Sequence, residues 1–169
     1  MLDNPISLVG RFIEVTGEVS RKHLGTYLVV GIIKKRKVRP DNRRLPVNDI
    51  FILQESNSKR LYLSYISFSY DSIEYFIVAF DLKTDKCFRG YSFVNTDIKD
   101  SEIDRVLMLT SREQRLEFAR RAIKHIQWRY ARIVYGEKRC FNKIPRYRRE
   151  MEWVLDPYFN PDKYIEKIM

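Results

Sequence analysis

The sequence predicts an α+β fold, with a small antiparallel β-barrel over residues 1–98 followed by a helical region over residues 99–169. Three observations predict it. Six short runs rich in β-branched and aromatic residues follow one another before residue 95, separated by short polar turns. Near residue 100 the apolar period changes from that of strands to the three-and-four spacing of helices. Basic charge is segregated, one block lying between the second and third runs and a second along the helical region.

The first two runs, Arg11 to Thr16 (RFIEVT) and Thr26 to Ile33 (TYLVVGII), form a hairpin punctuated by Gly17, Ser20 and Gly25. A basic stretch containing Pro40 and Pro46 follows, and then Asp49 to Glu55, Arg60 to Phe68 and Ile73 to Leu82, with SNSK and SYDS as turns. Tyr91 to Val94 adds a sixth strand. Alternation is loose in Arg60 to Phe68, which predicts a strand covered on both faces. Regular spacing and short turns suit a closed or half-open antiparallel barrel.

In the second part, Ser101 is expected to cap a short helix through Leu109. TSREQ then offers a capping box, either Thr110 with Glu113 or Ser111 with Gln114. A long helix from Arg112 to Tyr135 ends at Gly136 and carries the apolar stripe Leu116, Ala119, Ile123, Ile126, Tyr130 and Ile133. Arg121, Lys124, His125, Trp128 and Arg132 fall within another arc of it. FNKIP closes the next segment at Pro145, RYRREMEWVL reads as a helix, and Asn160 with Pro161 starts a final short one.

With 169 residues, 44% of them hydrophobic, the chain can bury a substantial core. The longest apolar runs fall short of the roughly 18 residues of a membrane span, and MLDNPISLVG lacks the features of a signal peptide. A cytoplasmic location is expected. Cys87 and Cys140 have no metal-ligand spacing around them, so reduced thiols, no metal and no cofactor are expected.

The formal net charge is +10. Lys34, Lys35, Arg36, Lys37, Arg39, Arg43 and Arg44 face only Asp41 between residues 34 and 44, a block of +6. Between Arg112 and Arg149, thirteen Lys and Arg face Glu113, Glu117 and Glu137, a block of +10 that leaves the remainder net acidic. Such segregation steers polyanions, so nucleic acid is the leading partner and an anionic membrane surface comes second. Lys and Arg that neutralise phosphates release counterions, giving affinity that falls with salt and carries little sequence information.

Two segments resemble small barrel modules. GRFIEVTGEVSRKHLGTYLVVGI, Gly10 to Ile32, resembles a KOW or Tudor-type segment in its alternating strand, glycine turn and Leu24-Gly25 pair. EYFIVAFDLKTDKCFRGYSFVNTDI, Glu74 to Ile98, resembles the end of a WYL-type module, with an aromatic strand, Ala-Phe-Asp, a turn and the Phe88-Arg89 pair. Both resemblances imply an SH3-like barrel and association with nucleic acid or transcription, and the second implies a ligand-contacting role for Arg89. In size, charge and barrel-like first half the chain also resembles the basic early nucleoid-associated proteins of T4-like bacteriophages, the MotB type. That likeness implies action on the nucleoid or on transcription in the host cytoplasm.

Catalytic patterns are sparse. Pro40-Asp41 and Asp81-Leu82-Lys83 have the order of a PD-(D/E)xK nuclease site, in which two carboxylates hold Mg²⁺ near a lysine. The pattern is permissive, and Asp81 and Lys83 equally suit a turn. His23, in a turn, and His125, on the long helix, have no partnered nucleophile nearby in sequence, and there is no phosphate-binding glycine loop. The expected function is therefore non-enzymatic DNA binding through the phosphate backbone, with RNA as an alternative target. The expected contacts are the 34–44 block, Arg121, Lys124, Trp128 and Arg132 on the long helix, and Arg146, Arg148 and Arg149. Docking on an acidic surface of a host enzyme such as RNA polymerase is the second reading, and a metal-dependent nuclease the third.

Overall fold

The computed structural model describes residues 4–34, 49–67, 73–84, 86–135 and 160–169, with residues 127–135 described by their backbone alone. All six expected runs form strands: β1 (Phe12–Gly17), β2 (His23–Ile33), β3 (Asp49–Glu55), β4 (Leu61–Ile66), β5 (Tyr75–Phe80) and β6 (Cys87–Val94). Each pairs antiparallel with the next, and β6 pairs back onto β1, so the sheet closes on itself as a six-stranded barrel. Closure removes the exposed edges that an open sheet of this length would present.

Alternation sorts the side chains. Ile13 and Val15 of β1, Phe51 and Leu53 of β3, and Tyr75, Ile77 and Ala79 of β5 belong to one buried cluster, the filling of the barrel. A register shift between Val29 and Gly31 changes the parity of β2, so that Tyr27, Val29 and Ile32 all reach this cluster. Closure also demands a near contact between β1 and β6. A Cβ at Gly90 would collide with the Thr16 carbonyl oxygen, so glycine is required there.

The helices are α1 (Ser101–Leu107) and α2 (Arg112–Tyr135). Ser101 is the first helical residue rather than the cap, which is Asp100, and α1 ends at Leu107 rather than Leu109. At α2 the Ser111 and Gln114 alternative of the capping box forms: the Ser111 Oγ accepts from the Gln114 N–H at 3.1 Å, and the Gln114 side-chain oxygen accepts from the Ser111 N–H at 2.8 Å. Phe118, Ala119, Ala122, Ile123 and Ile126 of α2, with Val106 of α1, cluster with Ile50, Ile52 and Leu63 on the outside of β3 and β4. The β3–β4 wall is thereby buried on both faces, as the loose alternation of β4 predicted.

The chain returns to the sheet. After a single 3-10 turn at Pro161–Tyr164, where a short helix was expected, Ile165–Ile168 forms β7 and pairs antiparallel with the end of β2. Asn160 occupies the cap position of that turn but makes no side-chain capping hydrogen bond. Gly31 makes the pairing possible, because a Cβ there would lie 2.6 Å from Ile168 Cδ1 and 3.0 Å from the Lys167 carbonyl oxygen.

Candidate nucleic-acid interface

The first turns of α2 carry five cations, Arg112, Arg115, Arg120, Arg121 and Lys124, with different surroundings. Arg115 is buried, 5% exposed. Its guanidinium donates to the main-chain oxygens of Met169 (2.8 Å), Leu107 (3.1 Å) and Thr110 (2.8 Å) and to the Thr110 hydroxyl (2.8 Å). Burial pulls Arg115 below the usual arginine range, with Arg112 adding repulsion. Thr110 in turn donates to Gln54 Oε1, and the Gln54 amide donates to the Val106 carbonyl, so one polar chain ties β3 to both helices and to the residue after β7.

Arg120 is committed to acids. It meets Asp162 at 2.8 Å, Glu113 at 3.1 Å and Glu117 at 3.5 Å. Hydrogen bonds from Arg120 hold the Asp162 carboxyl below its usual range. Arg121 and Lys124, by contrast, are exposed. Arg121 lies over the Phe118 ring at 6.0 Å, with no carboxylate at ion-pair distance among the described residues.

Arg121 borders a cleft of about 1020 Å³ between the start of α2 and two barrel turns. The β3–β4 turn supplies Lys59 and Arg60, and the β5–β6 turn supplies Asp81, Leu82, Lys83, Thr84 and Lys86. Both turns are held by their own polar groups. Ser58 Oγ accepts from the Arg60 N–H at 3.1 Å and donates to Glu55, while an Asp81 carboxylate oxygen accepts from the Lys83 N–H at 2.9 Å. Arg60 hydrogen bonds to the Tyr62 hydroxyl, whose pKa is pushed up by burial despite that neighbour.

The expected site residues divide. Arg121 and Lys124 stand a turn apart on α2, and Trp128 and Arg132 follow at helical spacing on the same face of its backbone. Lys34 is exposed at the end of β2, where its N–H donates to the Tyr164 carbonyl. That end of the barrel is opposite the cleft, roughly 20 Å away by strand length. Lys35, Arg36, Lys37, Arg39, Arg43, Arg44, Arg146, Arg148 and Arg149 lie outside the described residues, as do Asp41 and Cys140. Arg89 is exposed on the outside of β6, over the Phe76 ring at 5.6 Å and 4.0 Å from Glu18.

Of the nuclease pattern, Asp81 and Lys83 form the turn just described, and no group of three or more metal-ligating side chains gathers among the described residues. His23 opens β2 instead of lying in a turn, with its Nε2 2.6 Å from Glu14. Lys59, Arg60 and Lys86 were not singled out in the sequence, since a two-residue basic pair and a single turn lysine are too short to stand out and their cleft neighbours arrive from other strands. Among the described residues no helix is long and apolar enough to cross a membrane.

Comparison of the chain with family models, with curated proteins and with solved structures gives no significant match.

Proposed function

We propose that this protein binds DNA without catalysing a reaction on it, gripping the phosphate backbone with little regard for sequence and acting on the nucleoid or on transcription. The observation that carries this reading is the division of cations along α2. Arg115 and Arg120 are consumed by the fold, whereas Arg121 has no carboxylate at ion-pair distance among the described residues and lies, with the exposed Lys124, on a helix whose backbone continues through positions 128 and 132. A rigid row of cations with the spacing of a helix face suits a polyphosphate better than it suits a folding role. The closed antiparallel barrel is read as SH3-like, in keeping with the KOW, Tudor and WYL resemblances of its two segments.

The test is a titration against random-sequence duplex DNA, single-stranded DNA and RNA at two salt concentrations, with and without Mg²⁺. Tight, salt-sensitive binding without cleavage supports the reading. The double variant Arg121→Gln/Lys124→Gln is expected to flatten the duplex log–log salt slope by about 1.8, at about 0.9 per phosphate contact. Absence of binding to all three would turn the same charges into a protein-docking surface, and Mg²⁺-dependent cutting would return Asp81 and Lys83 to the centre.

A further inference from the structure

We propose that the cleft between the start of α2 and the β3–β4 and β5–β6 turns is a binding site for single-stranded nucleic acid, adjoining the outward α2 face at Arg121. This rests on the nucleic-acid reading above and assigns the strand form that the cleft takes. Lys59, Arg60, Lys83, Lys86 and Arg121 reach it from three segments far apart in sequence. Among the described residues none of the five has a carboxylate at ion-pair distance.

The acids on the same walls are occupied. Glu113 and Glu117 are bridged by Arg120, and Asp81 accepts the Lys83 N–H within its own turn. The N-terminus of α2 is closed by the Ser111 and Gln114 box, so the anion attraction comes from side chains rather than from the helix end. Among the described residues, what remains is an excess of cations over acids, on turns that carry hydrogen bonds from Ser58 and Asp81, which lowers the ordering cost of binding.

The apolar part of the lining selects the strand form. Leu61, Leu82 and Phe88 line the cleft while remaining partly exposed, and Phe88 is backed by Tyr27 and Tyr62 with ring centroids 5.6 Å apart in each pair. A duplex keeps its bases stacked inside and offers such a wall nothing. A single strand presents phosphates to the lysines and a base face to Phe88 and its aliphatic neighbours. The volume, about 1020 Å³, is at the upper end of pockets that enclose small ligands, which suits a short stretch of strand.

Cys87 provides a native reporter, because it is exposed and lines the cleft. In the unaltered protein, alkylation at Cys87, read by peptide mass spectrometry, is expected to slow at least several-fold when a short oligothymidylate saturates the protein. A saturating duplex is expected to leave it unchanged. In parallel, Lys83→Gln/Lys86→Gln is expected to lower oligothymidylate affinity roughly tenfold and to flatten its salt slope by about 1.4, at about 0.7 per contact, with duplex affinity within twofold of the parent. Lys99→Gln, an exposed change away from the cleft, controls for bulk charge.

If oligothymidylate binds with no protection of Cys87 and with unchanged affinity for the double variant, the cleft assignment is wrong while nucleic-acid binding stands. Equal protection by duplex overturns the strand preference. If neither form binds the unaltered protein, both the functional reading and the cleft assignment fall together.

Discussion

The corner between α1 and α2 and the cleft beside it draw on arginines less than two helical turns apart on α2, Arg115 and Arg121, yet they use charge in opposite ways. At the corner, Arg115 is buried and its N–H groups reach carbonyl and hydroxyl oxygens from α1, the α1–α2 link and the end of β7. In the cleft, Arg121 and four turn cations face solvent with no carboxylate at ion-pair distance among the described residues. The difference teaches which charges are structural. A cation left in water costs the fold almost nothing and is available to a ligand, whereas a buried one must be satisfied at several points at once.

The largest expected effect is at the corner. Arg115→Met removes every donor to the Met169, Leu107 and Thr110 oxygens and should destabilise the protein by ~3 kcal/mol, seen as a fall in the urea midpoint with little change in slope. A loss below about 1 kcal/mol would mean that water replaces those donors, and the corner would then be no more structural than the cleft. The cleft variant Lys83→Gln/Lys86→Gln marks the other extreme, with a stability change expected within about 0.5 kcal/mol even where its affinity changes greatly.

Acid should act between these extremes. Partial burial raises the Glu14 carboxyl, but hydrogen bonds from Thr26, Asn95 and His23 outweigh it and hold the group below its usual value. A carboxyl depressed in the folded state contributes stability that is present above the ordinary carboxylate pKa, about 4, and is lost as pH falls through the lower folded value. Urea midpoints should therefore hold from neutral pH to about 5 and decline below about 4, and Glu14→Gln should show a shallower decline. An identical decline in that variant would assign the acid sensitivity to other carboxyls, Asp162 beside Arg120 first among them.

A small effect of opposite sign is expected at Ser64, buried on β4, whose hydroxyl is without a hydrogen-bond partner among the described residues. It is the counter-example to Arg115, a buried polar group that the fold leaves unsatisfied. Ser64→Ala should be neutral or stabilising, by no more than about 1 kcal/mol in thermal unfolding.

Much of this fold was readable along the chain. Six strands, their order and the extent of α2 follow from β-branched runs, turn residues and a change of period, all of them local signals. The Ser111 and Gln114 box was readable for the same reason, although its rival could be set aside only with coordinates. Small offsets such as the ends of β1 and α1 reflect pairing and capping partners that periodicity does not register. On α2, helical spacing put Arg121 and Lys124 in one arc and left Arg120 outside it, but no local signal marked the acidic partner of Arg120, since Asp162 lies 42 positions away.

By itself, then, the sequence determined the six barrel strands, the two helices α1 and α2 and the segregation of charge, because each depends on neighbours within a few positions, while the helix expected in RYRREMEWVL lies outside the described residues. Tertiary structure alone decided the closure of β6 onto β1 across Gly90, the return of β7 onto β2 at Gly31, and which cations are consumed. It also decided the cleft, whose lysines sit on turns that only barrel closure and the packing of α2 bring side by side. The physical reason is that pairing across strands and ion pairing are settled by distance in space, and distance along the chain carries almost no information about either.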